Sequence, residues 1–125
     1  MGGTRASRSS TGRAGEDAAL KYLNSRDYQL LARNYRCHLG EVDLIMRRGD
    51  RLVFVEVRSK SGTRFGLPQE SVGAAKLSRL RRIAEYYLGF ELRGGWPGPV
   101  GLEVVAVSFS PSGQVERIEH ITDIQ

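Results

Sequence analysis

Hydrophobic and polar positions change period several times along this chain, and each change marks an element. From residue 13 to about 26, Glu16, Ala19, Leu20 and Leu23 fall on one face at helical spacing. A turn at Asp27-Tyr28 leads into a strand expected over 29–35. Residues 41–48 and 51–58 then alternate with period two on either side of Gly49-Asp50. Gly-Asp between two such runs is a tight hairpin signal, because Gly accepts the positive φ of primed turns. One side of this hairpin (Val42, Leu44, Met46, Val53, Val55 and Val57) is wholly apolar and predicts a covering layer. Residues 61–69, with Gly62, Gly66 and Pro68, read as a loop. A second helix is expected over 68–88, with Leu77, Leu80, Ala84, Tyr87 and Leu88 inward. After the Gly/Pro-rich loop at 94–99, residues 102–109 and 115–121 form a further hairpin. The order α-β-β-β-α-β-β predicts an α/β domain with a mixed sheet flanked by helices.

The other side of the first hairpin carries the candidate chemistry. Apolar Ile45 and Phe54 alternate there with Glu41, Asp43, Glu56 and Arg58. In a two-residue hairpin closed by Arg48 and Arg51, Asp43 faces Glu56 and Glu41 faces Arg58. Like charges directly opposed destabilise a sheet, and a divalent cation with oxygen ligands would relieve that repulsion. In the alternative reading, this end of the hairpin reaches solvent, where a Glu41–Arg58 pair contributes only ~0–1 kcal/mol. That accounts for Glu41 and Arg58 better than for two acids in register. Glu16 lies on the inward stripe of the first helix, where an ionised carboxylate is costly unless paired or directed at a cation. A first-turn Glu complementing the helix dipole is the competing explanation.

Composition bounds the rest. The 125 residues fit one domain, 13–125, preceded by a flexible basic tail at 1–12. Nineteen Lys and Arg against fourteen Asp and Glu leave a net charge of +5, which suits a polyanionic partner. Lys76, Arg79 and Arg82 step along one outer side of the second helix, and Arg13 precedes Glu16. These suit backbone phosphates, although a solvated helix face explains the row equally well. Cys37 is the only cysteine, which excludes an internal disulfide and a thiolate zinc cage. No apolar run approaches the ~20 residues of a membrane span, and residues 1–12 lack a signal-peptide core. A cytoplasmic protein without membrane association is expected. His38 and His120 show no ligand pattern and read as surface residues, and Trp96 reads as a cover for the edge of the core.

Asp43 followed, after a spacer, by Glu56-Val57-Arg58 resembles the PD-(D/E)xK signature of restriction-endonuclease-like nucleases. Residues 15–19, 31–36, 40–45 and 52–58 together look like the YraN-like bacterial family, and the resemblance continues through Lys76 and residues 103–106. It implies a restriction-endonuclease-like mixed sheet, similar to that of archaeal Holliday-junction resolvases, in which Glu16 matches the acid of the first helix. The implied activity is Mg²⁺- or Mn²⁺-dependent hydrolysis of DNA, ahead of RNA, on branched or repair intermediates. Asp43 and Glu56 would hold the metal, aided by the Val57 carbonyl and by Glu16 through water. Because such resolvases are dimers, a homodimer is implied too.

One position departs from the pattern. Arg58 stands where active nucleases of this superfamily usually carry Lys, and Arg cannot act as a base. Arg58 can still orient a water or stabilise charge on the phosphate. Lys60, of the same strand parity, and Lys76 are the candidate substitutes for the missing amine, and Lys60 also reads simply as a solubilising strand residue. The departure supports the alternative of a non-catalytic nucleic-acid-binding protein that keeps the nuclease fold.

Overall fold

The computed structural model describes residues 3–61, 73–122 and 124, with side chains described from Gly12 onward. Helix α1 spans Gly3–Asn24, and strands β1 (Gln29–Cys37), β2 (Gly40–Arg48) and β3 (Arg51–Ser61) follow it. Helix α2 spans Ala74–Tyr86 and runs into a π-helical turn over Tyr87–Glu91. Strands β4 (Val100–Phe109) and β5 (Val115–Ile121) complete the domain. The expected element order therefore holds. Helix α1 begins at Gly3 rather than at residue 13. The expected loop at 62–69 and the start of the second helix at 68–72 lie outside the described residues.

The five strands form one open sheet in the order β1-β2-β3-β4-β5. Only β3 and β4 are parallel, and α2 lies between them in the chain. A parallel connection needs such a crossover, whereas the antiparallel pairs close through short turns. Gly49 has φ 60° at the first position of the β2–β3 turn, a conformation that favours glycine.

Two apolar clusters lie on opposite sides of the sheet. On one, Ala19 and Leu23 of α1 pack with Tyr28, Leu44, Met46, Val53, Val55, Val105, Val107 and Phe109. On the other, Leu80, Ile83 and Ala84 of α2 pack with Val42, Ile45, Leu52, Phe54 and Leu102. Burial on both faces explains why 52–57 reads as a nearly continuous apolar run. Trp96 packs against the second cluster, and its indole N–H donates to the Asp50 carbonyl (2.8 Å), so it covers the core edge as expected. Among the described residues no helix is long and apolar enough to cross a membrane.

Alternation breaks at one place, which corrects the simple two-sided hairpin. Leu44 and Ile45 enter opposite clusters, as neighbours on a strand must. Val42, however, joins the α2 cluster with Ile45 rather than the α1 cluster with Leu44. Across the β1–β2 ladder, Ala32 and Tyr35 show the same three-residue spacing on the α2 side. Between them Asn34 has φ 54°, a left-handed conformation that Asn tolerates better than most residues. The pleat thus reverses around Asn34 and Asp43. A further register shift lies between Leu30 and Ala32.

Helix α1 lies so close to β3 at Gly15 that a Cβ there would overlap the Ser59 hydroxyl. Gly15→Ala should destabilise the fold by about 1–3 kcal/mol through overpacking. Denaturant unfolding tests this, and Ser59→Gly in the same chain should recover most of the loss.

Candidate functional site

Glu56 is the centre of the site. Its side chain is only 9% exposed, and β3 places it on the α2 face beside Val104 of β4. Two cations converge on Oε2: Lys76 Nζ of α2 at 2.8 Å and Arg58 Nη1 at 3.7 Å. Burying a carboxylate demands such partners. Of the two expected amines, Lys76 of α2 is thus the one beside Glu56.

Asp43 approaches from β2. The β2–β3 ladder holds the expected register from Arg48↔Arg51 to Leu44↔Val55, and its paired residues end there. One step further the Asp43 carboxylate replaces the ladder: Oδ2 accepts the Val57 N–H at 2.7 Å. Burial and the neighbouring Glu56 charge raise the Asp43 pKa to about 7, with Glu16 and Glu41 adding to the rise and the Val57 N–H opposing it. The expected repulsion between Asp43 and Glu56 is therefore present, although the two residues lie past the end of the paired ladder. The expected Glu41–Arg58 pair is not formed. Glu41 instead pairs with Arg36 of β1 at 3.1 Å, because those two residues are in register and the β2–β3 pairing has already ended.

Glu16 sits well inside α1, which removes the first-turn dipole explanation. Asn34 Nδ2 donates to both its oxygens at 3.2 Å, and Arg33 Nε to Oε1 at 3.3 Å. Arg33 also pairs with Asp17 at 2.7 Å. The left-handed Asn34 that reverses the pleat thus also anchors Glu16, and Glu16 is directed at these donors. Among the described residues no three His, Cys, Asp or Glu side chains are grouped closely enough to hold a metal ion. Asp43 and Glu56 remain as a pair of hard oxygen donors of like charge, a donor set that fits Mg²⁺ or Mn²⁺.

The other expected residues are divided between the faces. Lys60 is half-buried on β3, in register with Ser108. Arg79 and Arg82 are exposed on α2, and the Arg79 stem packs over Gly40. Arg13 is exposed on α1, the helix covering the other face, so the structure does not gather it with the α2 row. Cys37 packs against the α2 cluster.

A second buried acid escapes the sequence reading. Glu103 is 2% exposed and accepts from Tyr28 Oη (2.9 Å) and Arg51 Nη2 (3.4 Å). His120 Nε2 lies 2.7 Å from it, and His120 Nδ1 lies 3.2 Å from Tyr22 Oη. His120 is thus part of a buried network rather than a surface residue. Burial and Glu103 push the Tyr28 pKa to about 12. A lone acid within the apolar run 102–107 was the available signal, the same one that marks Glu56. With three partners and almost no exposure, Glu103 has no room for a substrate and serves as a structural anchor.

The Asp43 pKa has a testable consequence. Its folded value, about 7, lies above the ordinary 3.8, so ionisation opposes folding above neutrality and the penalty fades as pH falls towards 4. Without divalent metal, Asp43→Asn should therefore stabilise the protein by about 1–3 kcal/mol at pH 8 and by little at pH 4, read by denaturant unfolding at both pH values.

Comparison with known proteins identifies relatives. The model of "Uncharacterised protein family UPF0102" matches residues 15–119. A UPF0102 protein of Pelotomaculum thermopropionicum is 46% identical over 109 residues, covering 87% of this chain and 89% of that one. One from Moorella thermoacetica is 46% identical over 110 residues, covering 88% and 90%. A third, from Frankia alni, is 44% identical over 110 residues, covering 88% and 89%.

Proposed function

The chain belongs to the uncharacterised protein family UPF0102, and we propose that it is a metal-dependent nuclease-like protein that hydrolyses DNA phosphodiester bonds. One observation carries this reading: Asp43 and Glu56, from adjacent strands, are held together against their repulsion with Lys76 only 2.8 Å from Glu56. Asp43 and Glu56 would hold Mg²⁺ or Mn²⁺, with Glu16 contributing through water. When bound, such a cation supplies a nucleophilic water at neutral pH and neutralises charge on the scissile phosphate.

The chain's own groups supply the remainder. The Val57 N–H fixes one oxygen of Asp43, whose carboxylate would help to hold the cation. Lys76 and Arg58, both directed at Glu56, lie where they can orient the attacking water and stabilise charge developing on phosphate oxygens. Arg79 and Arg82 extend the positive surface along α2, towards phosphates flanking the cleaved bond. The resemblance to junction resolvases favours branched recombination or repair intermediates as substrates and a homodimer as the acting form.

A second reading has its own support. Lys76 and Arg58 already neutralise Glu56, and Glu16 is engaged by Asn34 and Arg33. A non-catalytic nucleic-acid-binding protein that keeps the nuclease fold would show this closed arrangement.

Incubation with Mn²⁺ and a panel of linear, flapped and four-way DNA separates the two. The nuclease reading expects metal-dependent cleavage that Glu56→Gln lowers at least about a hundredfold while thermal unfolding stays close to the parent's. Binding that chelator leaves unchanged, with no cleavage of any substrate, would establish the second reading instead. Lys76→Ala should lower the cleavage rate about 10- to 100-fold with smaller effect on Mn²⁺ affinity by titration calorimetry.

A further inference from the structure

Beyond Arg82 the outer side of α2 turns from basic to aromatic. Tyr86 and Phe90 stack with ring centroids 5.1 Å apart and planes 18° from parallel. His38, from the β1–β2 turn, meets Tyr86 edge-on at 5.1 Å. Phe90 is 55% exposed, more than any other large apolar side chain among the described residues. The core does not require this pair. Tyr87, next in sequence, points inward and makes edge contacts with Tyr35 (5.1 Å) and Phe54 (5.6 Å). The π-helical turn over Tyr87–Glu91 keeps Tyr87 on the core while Phe90 sits over Tyr86. Such turns recur at functional sites.

The charges around the pair favour a polyanion. Helical spacing sets Lys76, Arg79 and Tyr86 along one side of α2, with about 15 Å from Lys76 to Tyr86 along the axis. Arg82 is exposed between them. Of the nearby acids, Glu85 lines a cavity towards β4 with Arg51 and Arg81, on another side of the helix. Glu91 accepts the Tyr35 hydroxyl at 3.1 Å.

We propose that Tyr86, Phe90 and His38 form a stacking platform for the bases of a single-stranded stretch of nucleic acid whose phosphates run over Arg82, Arg79 and Lys76 towards Glu56. Exposed aromatic rings beside a basic track bind single strands because every base offers a π-face, whereas paired bases are already stacked. A substrate with an unpaired arm, a flap or an open junction, is thereby selected. The proposal rests on the hydrolytic reading of Asp43 and Glu56 only for the direction in which the strand runs.

Fluorescence anisotropy in EDTA tests the platform without hydrolysis, using labelled single-stranded DNA, single-stranded RNA of the same sequence, and blunt duplex DNA. Phe90→Ala, at an exposed position, should weaken single-strand binding about tenfold and duplex binding less than about twofold. Phe90→Trp should keep single-strand affinity, and its added emission should be quenched by the single strand and not by the duplex. Tight binding of either sugar type with this pattern supports the platform. It is overturned if Phe90→Ala leaves single-strand affinity within about twofold of the parent, or weakens single strand and duplex equally. If Mn²⁺-dependent cleavage is never found but Phe90→Ala shows the expected loss, the platform stands and the hydrolytic reading falls. If Glu56→Gln abolishes cleavage while Phe90→Ala changes nothing, the platform alone falls.

Discussion

The hydrogen bond from the Val57 N–H to Asp43 is the constraint on which the site depends. Where the pleat reverses around Asn34 and Asp43, the β2–β3 pairing ends and a backbone donor of β3 needs a new acceptor. A buried donor left unpaired costs roughly 1–3 kcal/mol. The Asp43 carboxylate fills that need, and the bond fixes it close to Glu56 despite the repulsion. The left-handed Asn34 that accompanies the reversal also grips Glu16 through its amide. A local irregularity of backbone thus holds Asp43 near Glu56 and ties Glu16 of α1 to Asn34. Regular pairing would have used the Val57 N–H for a ladder bond.

Among the described residues each face of the sheet also holds one buried glutamate, and the two have different surroundings. Glu103 is met by a phenol, a guanidinium and an imidazole, all within 3.4 Å. Glu56 is met by the long cationic side chains of Lys76 and Arg58, and its neighbour Asp43 is another acid. The first arrangement satisfies a charge completely. The second keeps two acids side by side, and on the proposed reading a small cation would bind between them.

Much of this was legible in the sequence, because alternation and turn chemistry are local. The Gly49-Asp50 hairpin sets its register from its own turn, and residues 44–48 do face 51–55 as expected. Asp43 and Glu56 were recognisable as acids among apolar neighbours. The limits of the pattern are equally physical. Period two assumes an unbroken pleat, so it could not place Val42 with Ile45 or foresee Glu41 turning to Arg36. His120 looked solitary because its partners, Glu103, Tyr22 and Tyr28, are distant in sequence and meet only when β4, β5 and α1 pack. Lys76 was one of two candidates for an amine near Glu56, with Lys60, and only the packing of α2 over β3 brings it there.

The open sheet leaves two border strands, and their irregularities bear on self-association. β1 exposes Leu30 and Leu31, which on a flat border would invite another chain to add a strand. The register shift between Leu30 and Ala32, followed by Asn34, bends that border away from the geometry an incoming strand would need. At the opposite border, exposed Glu116 and Arg117 of β5 make a matching apolar strand a poor fit. The same distortion therefore also disfavours edge-to-edge strand addition at β1.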